Sequence, residues 1–329
     1  MIVNKSSVPV GTADSVSAVI ADELGKRSVK SLKFSAVSNL GFLKKGAAIA
    51  VFNNLDRMVF GADDERAVKI LRYMYAPCPR THYRVMVFNV KCPKFITYVT
   101  NAIPVPRTSF ANELATFAAK LIAEIRQVCG GIVSGQCIGC HFLYSGCGSC
   151  FPNDVHALKK TAIALGMLLK IFQTVEDVNH VQKPVLFKKI TGRFGGDLID
   201  KIFAIRTLAL KPNTDDMREA TSSVVLKGLW GCGTSAPVYY PVATQEIQRI
   251  CGDRQDLRYA QCTNAALNGA DALLVPTNWK TFKSPDLDQI RIHRKGTIVF
   301  VGRNLFEPAG MLAVGMELFS ISRGSLTER

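Results

Sequence analysis

The sequence predicts a mainly α-helical protein, and three stretches favour this class. An amphipathic segment begins near Asp63 and ends before Pro77, an apolar stripe at helical spacing covers 114–128, and a second apolar run covers 152–172. With 329 residues, 48% of them hydrophobic, the chain can bury one large or two smaller cores.

The segment after Asp63 has the features of a helix with one basic face. Asp63 is a candidate N-cap, and the acids at 64 and 65 suit the positive end of a helix dipole. Leu71 and Tyr75 follow helical spacing on the inner side. The outer side carries Arg66, Lys69 and Arg72.

The charge balance predicts an anionic partner. Lys plus Arg number 41 against 26 for Asp plus Glu, a formal net charge of +15, which does not by itself choose RNA over a membrane surface. Guanidinium groups interleaved with aromatics suit a phosphate backbone with unstacked bases, and the alternative is a solvated helix face beside a basic loop. The candidate RNA-binding residues are Arg57, Arg66, Lys69, Arg72, Arg80, Tyr83 and Arg84, with Lys188, Lys189 and Arg193 in a predicted basic loop.

Other stretches give short predictions. A first helix is expected around Asp14 to Gly25, and the alternation in 83–98 predicts one or two short strands. Helices are predicted at 197–210 and from a cap at Thr214 to Leu229.

Two paired-thiol motifs stand close together in the middle of the chain, Cys137-x-x-Cys140 and Cys147-x-x-Cys150. Four thiolates can hold a tetrahedral Zn²⁺, so zinc is a possible ligand here. The loop between the pairs is shorter than in most structural zinc sites, which leaves buried small cysteines as the alternative. A haem-attachment motif and a redox dithiol fit the surrounding sequence less well.

Four segments in collinear order resemble the nucleoprotein of influenza-type orthomyxoviruses. The first has Arg57-Met58-Val59, then Ala62, then Asp64-Glu65-Arg66. The others are 222–228 with 236–243, then 261–274, then 299–308. The family resemblance implies helical body and head regions with a basic groove between them, a protruding tail loop, and no cofactor. It also implies that the chain coats single-stranded viral RNA without sequence specificity, associates with itself and with the viral RNA polymerase, and is found in the virion and in the host nucleus or cytoplasm.

On that resemblance the chain divides into five regions. The body comprises 1–129, with the RNA-groove helix and loop, and 212–295; the head is 130–211; the tail loop is 296–310; and the C-terminal segment is 311–329.

The resemblance also assigns the residues that join protomers. Arg303 matches the tail-loop arginine that pairs with an acid in a neighbouring pocket, and Asp271 is the candidate acid. Apolar anchors would be Phe300, Leu305 and Phe306. The alternative for this stretch is an interior or edge strand, GTIVFVG, with Arg303 just beyond its end.

Catalysis is not expected, because the chain has no P-loop, no paired carboxylates and no Ser/His/Asp grouping. The absence of a signal peptide and of a long apolar run predicts a soluble, non-secreted protein that does not enter a membrane. Two other functions remain open. One is a zinc- or thiol-dependent enzyme or regulator centred on Cys137–Cys150, and the other is a matrix protein that binds a membrane surface through its charge.

Overall fold

The structure is a computed structural model that divides the chain into two compact units. Unit 1 comprises Met1–Pro104 and Asn153–Leu169, and unit 2 comprises Val105–Pro152 and Lys170–Arg329. The structure describes residues 1–321 except 7, 9–10, 30–31, 41–48, 50–56, 77–83, 122, 135–151, 209–216, 218–219, 240–243, 253, 255, 278–281, 283–285 and 304. The boundaries predicted after 129, 211, 295 and 310 are not tested by this division and stay predictions.

Unit 1 is built on a four-stranded sheet in the order β1-β2-β3-β4. The first and last pairs of strands are parallel, and the central pair is antiparallel. Its elements are β1 (Ile2–Asn4), α1 (Thr12–Lys26), β2 (Ala36–Leu40), β3 (Arg57–Gly61), α2 (Glu65–Tyr75), β4 (Arg84–Phe88), α3 (Cys92–Ala102) and α6 (Pro152–Ala164).

Helix α2 packs its apolar side on this sheet as the sequence predicted. Ala67 and Leu71 are each 1% exposed and form a cluster with Met58 and Phe60 of β3. The helix cap is Asp64, one residue later than predicted, because its carboxylate accepts a hydrogen bond from the backbone N–H of Arg66 at 2.9 Å.

The strand expected in 83–98 ends at Phe88, and the rest of that stretch is helix α3. Asn89 ends the strand, since its side-chain oxygen accepts a hydrogen bond from the backbone N–H of Cys92 at 3.0 Å. Pro93 then stands in the first turn, where its missing N–H costs no hydrogen bond.

Unit 2 contains two pairs of helices before its sheet: α4 (Pro104–Lys120) and α5 (Ile125–Val133), then α7 (Lys170–Gln182) and α8 (Val185–Phe194). The stripe predicted through 114–128 is therefore two helices, with Glu124 capping the second. The run predicted as one helix through 152–172 is also divided. Gly166 takes a left-handed φ of 73°, which ends α6.

The rest of unit 2 is a six-stranded sheet in the order β10-β9-β8-β5-β6-β7, with every neighbouring pair parallel. This is the order of a doubly wound α/β fold. Its strands are β5 (Phe203–Arg206), β6 (Ala236–Tyr239), β7 (Leu257–Tyr259), β8 (Ala272–Val275), β9 (Ile298–Val301) and β10 (Glu317–Ser320). Its helices are α9 (Thr221–Gly231), α10 (Thr244–Cys251), α11 (Leu287–His293) and α12 (Pro308–Ala313), with a 3-10 turn at Ala265–Leu267.

Three neighbouring strands are buried along their whole length, and all their residues except Arg206 are apolar. All four residues of β5, β8 and β9 are buried, in the sequences FAIR, ALLV and IVFV. Continuous apolar runs of this kind are what a parallel sheet covered by helices on both faces requires. Phe194 packs edge-on against Phe203, and Phe300 stacks on Phe319, so the aromatic rings fill this core.

The mainly helical fold with body, head and tail loop is therefore wrong. The predicted helix at 197–210 contains β5, and the helix implied at 261–274 contains β8, because short runs buried on both faces carry no strand-like alternation. The tail loop is strand β9, the alternative considered for GTIVFVG. Among the described residues, no helix combines the length and hydropathy needed to cross a bilayer.

Candidate functional site

The order in which successive strands are added to the six-stranded sheet reverses beside β5. From β5 the chain moves one way to β6 and β7, then crosses back to β8, β9 and β10. In doubly wound sheets the ligand crevice lies at such a switch point, outside the carboxyl ends of the strands. The ends of β5, β8 and β9 therefore define the candidate site of unit 2.

The end of β5 has strained backbone. Thr207 follows the strand with φ of 69°, a left-handed conformation that is costly for a β-branched residue. It is held there because its backbone N–H donates to the carbonyl of Tyr239 at 3.0 Å, and its side chain is fully buried. Leu208, the residue after Thr207, is held by Ser222 in the first turn of α9. The Ser222 hydroxyl donates a hydrogen bond to the carbonyl of Leu208 at 2.5 Å. Strain held by surrounding contacts is typical of functional sites.

The ends of β8 and β9 approach each other so closely that only glycine fits. A Cβ added at Gly302 would lie 2.4 Å from the carbonyl oxygen of Pro276. The backbone N–H of Gly302 donates to Val275 at 2.9 Å, which extends the pairing of the two strands by one residue. Gly302 thus allows the backbones of the two strands to approach closely at this edge.

One buried cation stands at the same edge. Arg206, the last residue of β5, is 4% exposed, and its guanidinium lies 5.8 Å from the centre of the Phe282 ring. Burial lowers the pKa of Arg206 to about 10, so it stays protonated at neutral pH.

Unit 1 has a polar cluster where β1 and β2 end. The hydroxyl of Tyr75 accepts hydrogen bonds from the ammonium of Lys5 at 2.9 Å and from the amide of Asn39 at 2.5 Å. Nearby in the sequence, the carbonyl of Ser6 accepts a hydrogen bond from Lys94. Lys94 is 3% exposed, and burial lowers its pKa.

The glycine-rich turn of a dinucleotide site does not follow any described strand of unit 1. The connection from β1 to α1 reads KSSVPVG and has a single glycine, Gly11. The spacing G-x-G-x-x-A occurs at 231–236, but there it joins a helix to a strand, whereas the fingerprint joins a strand to a helix.

The described residues of unit 1 that were predicted to bind RNA lie on three elements, β3, β4 and α2. Arg57 and Arg84 are paired across β3 and β4, while the basic residues of α2 lie on the exposed side of that helix. Arg80 and Tyr83 lie outside the described residues. In unit 2, Lys188, Lys189 and Arg193 belong to helix α8 and not to a loop. Arg193 there pairs with Glu317, at 2.9 Å between Nη2 and Oε2.

Two of the residues predicted to join protomers, Phe300 and Phe306, are buried within unit 2. Phe300 is fully buried in β9, and Phe306 is 6% exposed. Asp271 accepts a hydrogen bond from the backbone N–H of Ile202 at 2.9 Å. It stands before β8, whereas Arg303 follows β9, so the two lie at opposite edges of a parallel, in-register pair of strands.

The four cysteines of the predicted metal site, Cys137, Cys140, Cys147 and Cys150, lie outside the described residues. Within the part of the chain that the structure describes, no three His, Cys, Asp or Glu side chains gather as metal ligands.

An all-parallel doubly wound sheet with a crevice at its switch point defines the class of nucleotide-binding α/β proteins. Comparison with family models narrows the class. Residues 1–79 match the NAD binding domain, 94–181 the central domain and 204–308 the UDP binding domain of the UDP-glucose/GDP-mannose dehydrogenase family. The chain belongs to this family.

Individual relatives agree. The chain is 38% identical to UDP-glucose 6-dehydrogenase of Pseudomonas aeruginosa over 98% of its own length and 72% of that protein. It is 32% identical to UDP-glucose 6-dehydrogenase YwqF of Bacillus subtilis over 98% of the chain and 72% of the relative. The structure of a UDP-glucose dehydrogenase from Pyrobaculum islandicum superposes with a TM-score of 0.78 at 30% identity, covering 92% of this chain and 66% of that one.

These findings overturn the nucleoprotein interpretation. The resemblance to orthomyxovirus nucleoproteins rested on four short segments, whereas the dehydrogenase family matches along the chain. Single-stranded RNA, a viral polymerase and self-association through a tail loop are therefore wrong as partners, as is the expectation that the chain is not an enzyme. The zinc- or thiol-dependent alternative is not supported either. The expected lack of a cofactor conflicts with the match of 1–79 to an NAD binding domain.

The sequence interpretation also missed Arg206, Thr207 and Lys5. The signal that could have found the first two is the run IFAIRT at 202–207, an apolar stretch of strand length that follows the glycine pair 195–196. A polar residue directly after such a run marks the carboxyl edge of a sheet.

Proposed function

We propose that this chain acts in the NAD-dependent oxidation of UDP-glucose at position 6 of the sugar. The observation that carries the proposal is the 38% identity to a UDP-glucose 6-dehydrogenase across 98% of the chain. A second, independent support is the doubly wound sheet of unit 2, which is formed by the segment that matches a UDP binding domain.

The nucleotide would bind at the carboxyl edge of unit 2. Thr207 and Gly302 mark the carboxyl ends of β5 and β9, and polar groups beyond these strand ends would form hydrogen bonds with uracil and ribose. Arg206 adds positive charge at the same edge, which suits the diphosphate.

The nicotinamide cofactor would act as hydride acceptor when bound. The described residues of unit 1 do not supply the glycine-rich strand-to-helix turn that holds a dinucleotide pyrophosphate, because the β1–α1 connection has one glycine.

The proposal is tested in two stages with the purified full chain. Calorimetric titration with UDP-glucose should show binding, and titration with GDP-mannose, the matched control ligand, should show binding at least about tenfold weaker. Incubation with UDP-glucose and NAD⁺ should then produce NADH absorbance that is absent without the sugar nucleotide.

Each stage has its own contrary result. A chain that binds neither nucleotide sugar would refute the assignment of the crevice in unit 2. Binding of UDP-glucose without any NADH production would refute the oxidation while leaving that crevice assigned.

A further inference from the structure

Helices α4 and α7 of unit 2 form the two walls of an open groove, which we call the α4–α7 groove. Its apolar lining comes from Phe110, Leu114 and Phe117 on α4 and from Val178 and Val181 on α7. The groove has a volume of about 640 Å³, within the range of small-molecule sites in proteins. A smaller recess of about 230 Å³ continues it, because Phe110 and Val178 line both.

The apolar side chains of the groove are left in water by the fold of the chain. Phe110 and Phe117 are 48% and 59% exposed, and they lie seven residues, or about two helical turns, apart on one side of α4. On α7, Val181 is 64% exposed. Covering these side chains would remove apolar surface from water, so the groove favours a ligand with an apolar body.

Two carboxylates stand among these apolar side chains. Glu113 lies on α4 between the two phenylalanines, and Asp177 lies on α7. Among the residues that the structure describes, neither carboxylate is in an ion pair. Asp177 accepts one hydrogen bond, from the amide of Gln173 at 3.1 Å. The groove therefore offers two carboxylates that a cation can use.

Two other polar side chains line the groove. Gln182, at the end of α7, is 6% exposed, and its amide nitrogen has no hydrogen-bond partner. Lys120 follows Glu113 by seven residues, about 10 Å along the axis of α4, so it does not neutralise that carboxylate. The lining as a whole has one more negative than positive charge, although the chain has a formal net charge of +15.

We propose that the α4–α7 groove binds an organic ammonium ion with an apolar body. A primary ammonium has three N–H donors, which the carboxylates of Glu113 and Asp177 and the amide oxygen of Gln182 would accept. The rings of Phe110 and Phe117 would cover the apolar body, and the face of an aromatic ring also attracts a cation. This ligand is independent of the proposed function, because none of these residues was assigned to the crevice of the six-stranded sheet.

Three ligands with the same phenylbutyl body test the preference for positive charge. They are phenylbutylamine, phenylbutanol and phenylbutyrate, which are cationic, neutral and anionic at neutral pH. Calorimetric titration of the full chain should show the amine binding at least about tenfold more tightly than the alcohol, and the butyrate binding most weakly. The net charge of +15 alone would attract the butyrate most, so equal affinities or the reverse order would overturn the proposal.

Variants of the two acids test the location of the ligand. Glu113→Gln and Asp177→Asn should each weaken amine binding by about three- to fivefold, the modest loss expected for exposed charges, and leave alcohol binding unchanged. Asp288→Asn is the matched control, since Asp288 is an exposed acid of unit 2 on α11 outside the groove, and it should bind the amine as the wild type does. A preference for the amine that persists when both groove acids are replaced would overturn the proposal.

A variant of the apolar wall distinguishes a small ligand from a second copy of the chain. Phe117→Ala should weaken all three ligands by a similar factor, about fivefold, because it removes apolar contact surface. In sedimentation experiments this variant should behave as the wild type does. A wild-type dimer that Phe117→Ala converts to a monomer would show that a second copy covers the groove, and the small-ligand proposal would then be wrong.

Discussion

Replacing Gly302 with alanine should force the ends of β8 and β9 apart at the candidate site. The new Cβ would lie 2.4 Å from the carbonyl oxygen of Pro276, and ordinary contacts begin at 3.4 Å, so the strands must separate by the difference, about 1.0 Å. If that movement separates the backbone N–H of Gly302 from the carbonyl of Val275, the N···O distance increases from 2.9 Å to about 3.9 Å. The hydrogen bond is then lost. Overpacking and the lost hydrogen bond together should lower the free energy of unfolding by about 2–4 kcal/mol.

The matched control is Gly296→Ala at the opposite edge of the sheet. There a Cβ would lie 2.1 Å from the carbonyl oxygen of Asp271, so this variant should be destabilised at least as much. Urea unfolding measures the stability of each variant, and calorimetry at a temperature where both are folded measures UDP affinity. Gly302→Ala should lose about tenfold or more in affinity, about 1.4 kcal/mol, while Gly296→Ala should bind as the wild type does. Equal loss of affinity in the two variants would refute the location of the site.

Two smaller predictions concern stability. Ser28, just after α1, is exposed and has a left-handed backbone with φ of 57°, which glycine adopts without strain. Ser28→Gly should therefore raise the free energy of unfolding by about 0.5–1 kcal/mol, whereas Ser28→Ala should not. The paired hydrogen bonds from Arg254 lower the pKa of Asp256 in the folded state. The ionised carboxylate therefore stabilises the fold above its unfolded pKa of 3.8, and this stabilisation is lost as the pH falls through the lower folded pKa. The stability difference between the wild type and Arg254→Gln, followed by urea unfolding across pH, should therefore narrow below about pH 4.

Local features of unit 1 could be predicted from the sequence because they depend on near neighbours. The helix after Asp63 and the first helix both carry their signals within one or two turns. In the strand at 84–88, Val85 and Val87 pack against the cluster under α2, whereas Phe88 is exposed. Hydrophobic periodicity predicts secondary structure best where neighbours close in sequence determine the environment of a residue.

The sheet of unit 2 could not be predicted in this way because its strands pair residues far apart in sequence. Phe203 is in register with Ala272, and Ala272 with Ile298. Strands buried on both faces lose the alternation that marks a strand, and short apolar runs resemble parts of a buried helix. The candidate site is hard to predict for the same reason. Arg206, Thr207 and Gly302 come to the same edge of the sheet only when the strands pair.

Short sequence matches predicted that Arg303 pairs with Asp271, whereas the strand register places the two residues at opposite edges of the sheet. Because Ala272 pairs with Ile298, Asp271 is level with Thr297, and Arg303 lies six residues further along, about 20 Å if the chain stays extended. Asp271→Asn should lower the free energy of unfolding by about 1–2 kcal/mol, because it weakens the hydrogen bond to Ile202, and it should leave UDP affinity unchanged. Arg303→Ala, at the carboxyl edge, should weaken UDP binding with little loss of stability. The double variant, measured by urea unfolding and by calorimetry, should show additive changes within about 0.5 kcal/mol, as for residues that do not touch. A larger coupling energy would mean that the two side chains interact, and the register of β8 and β9 would then be wrong.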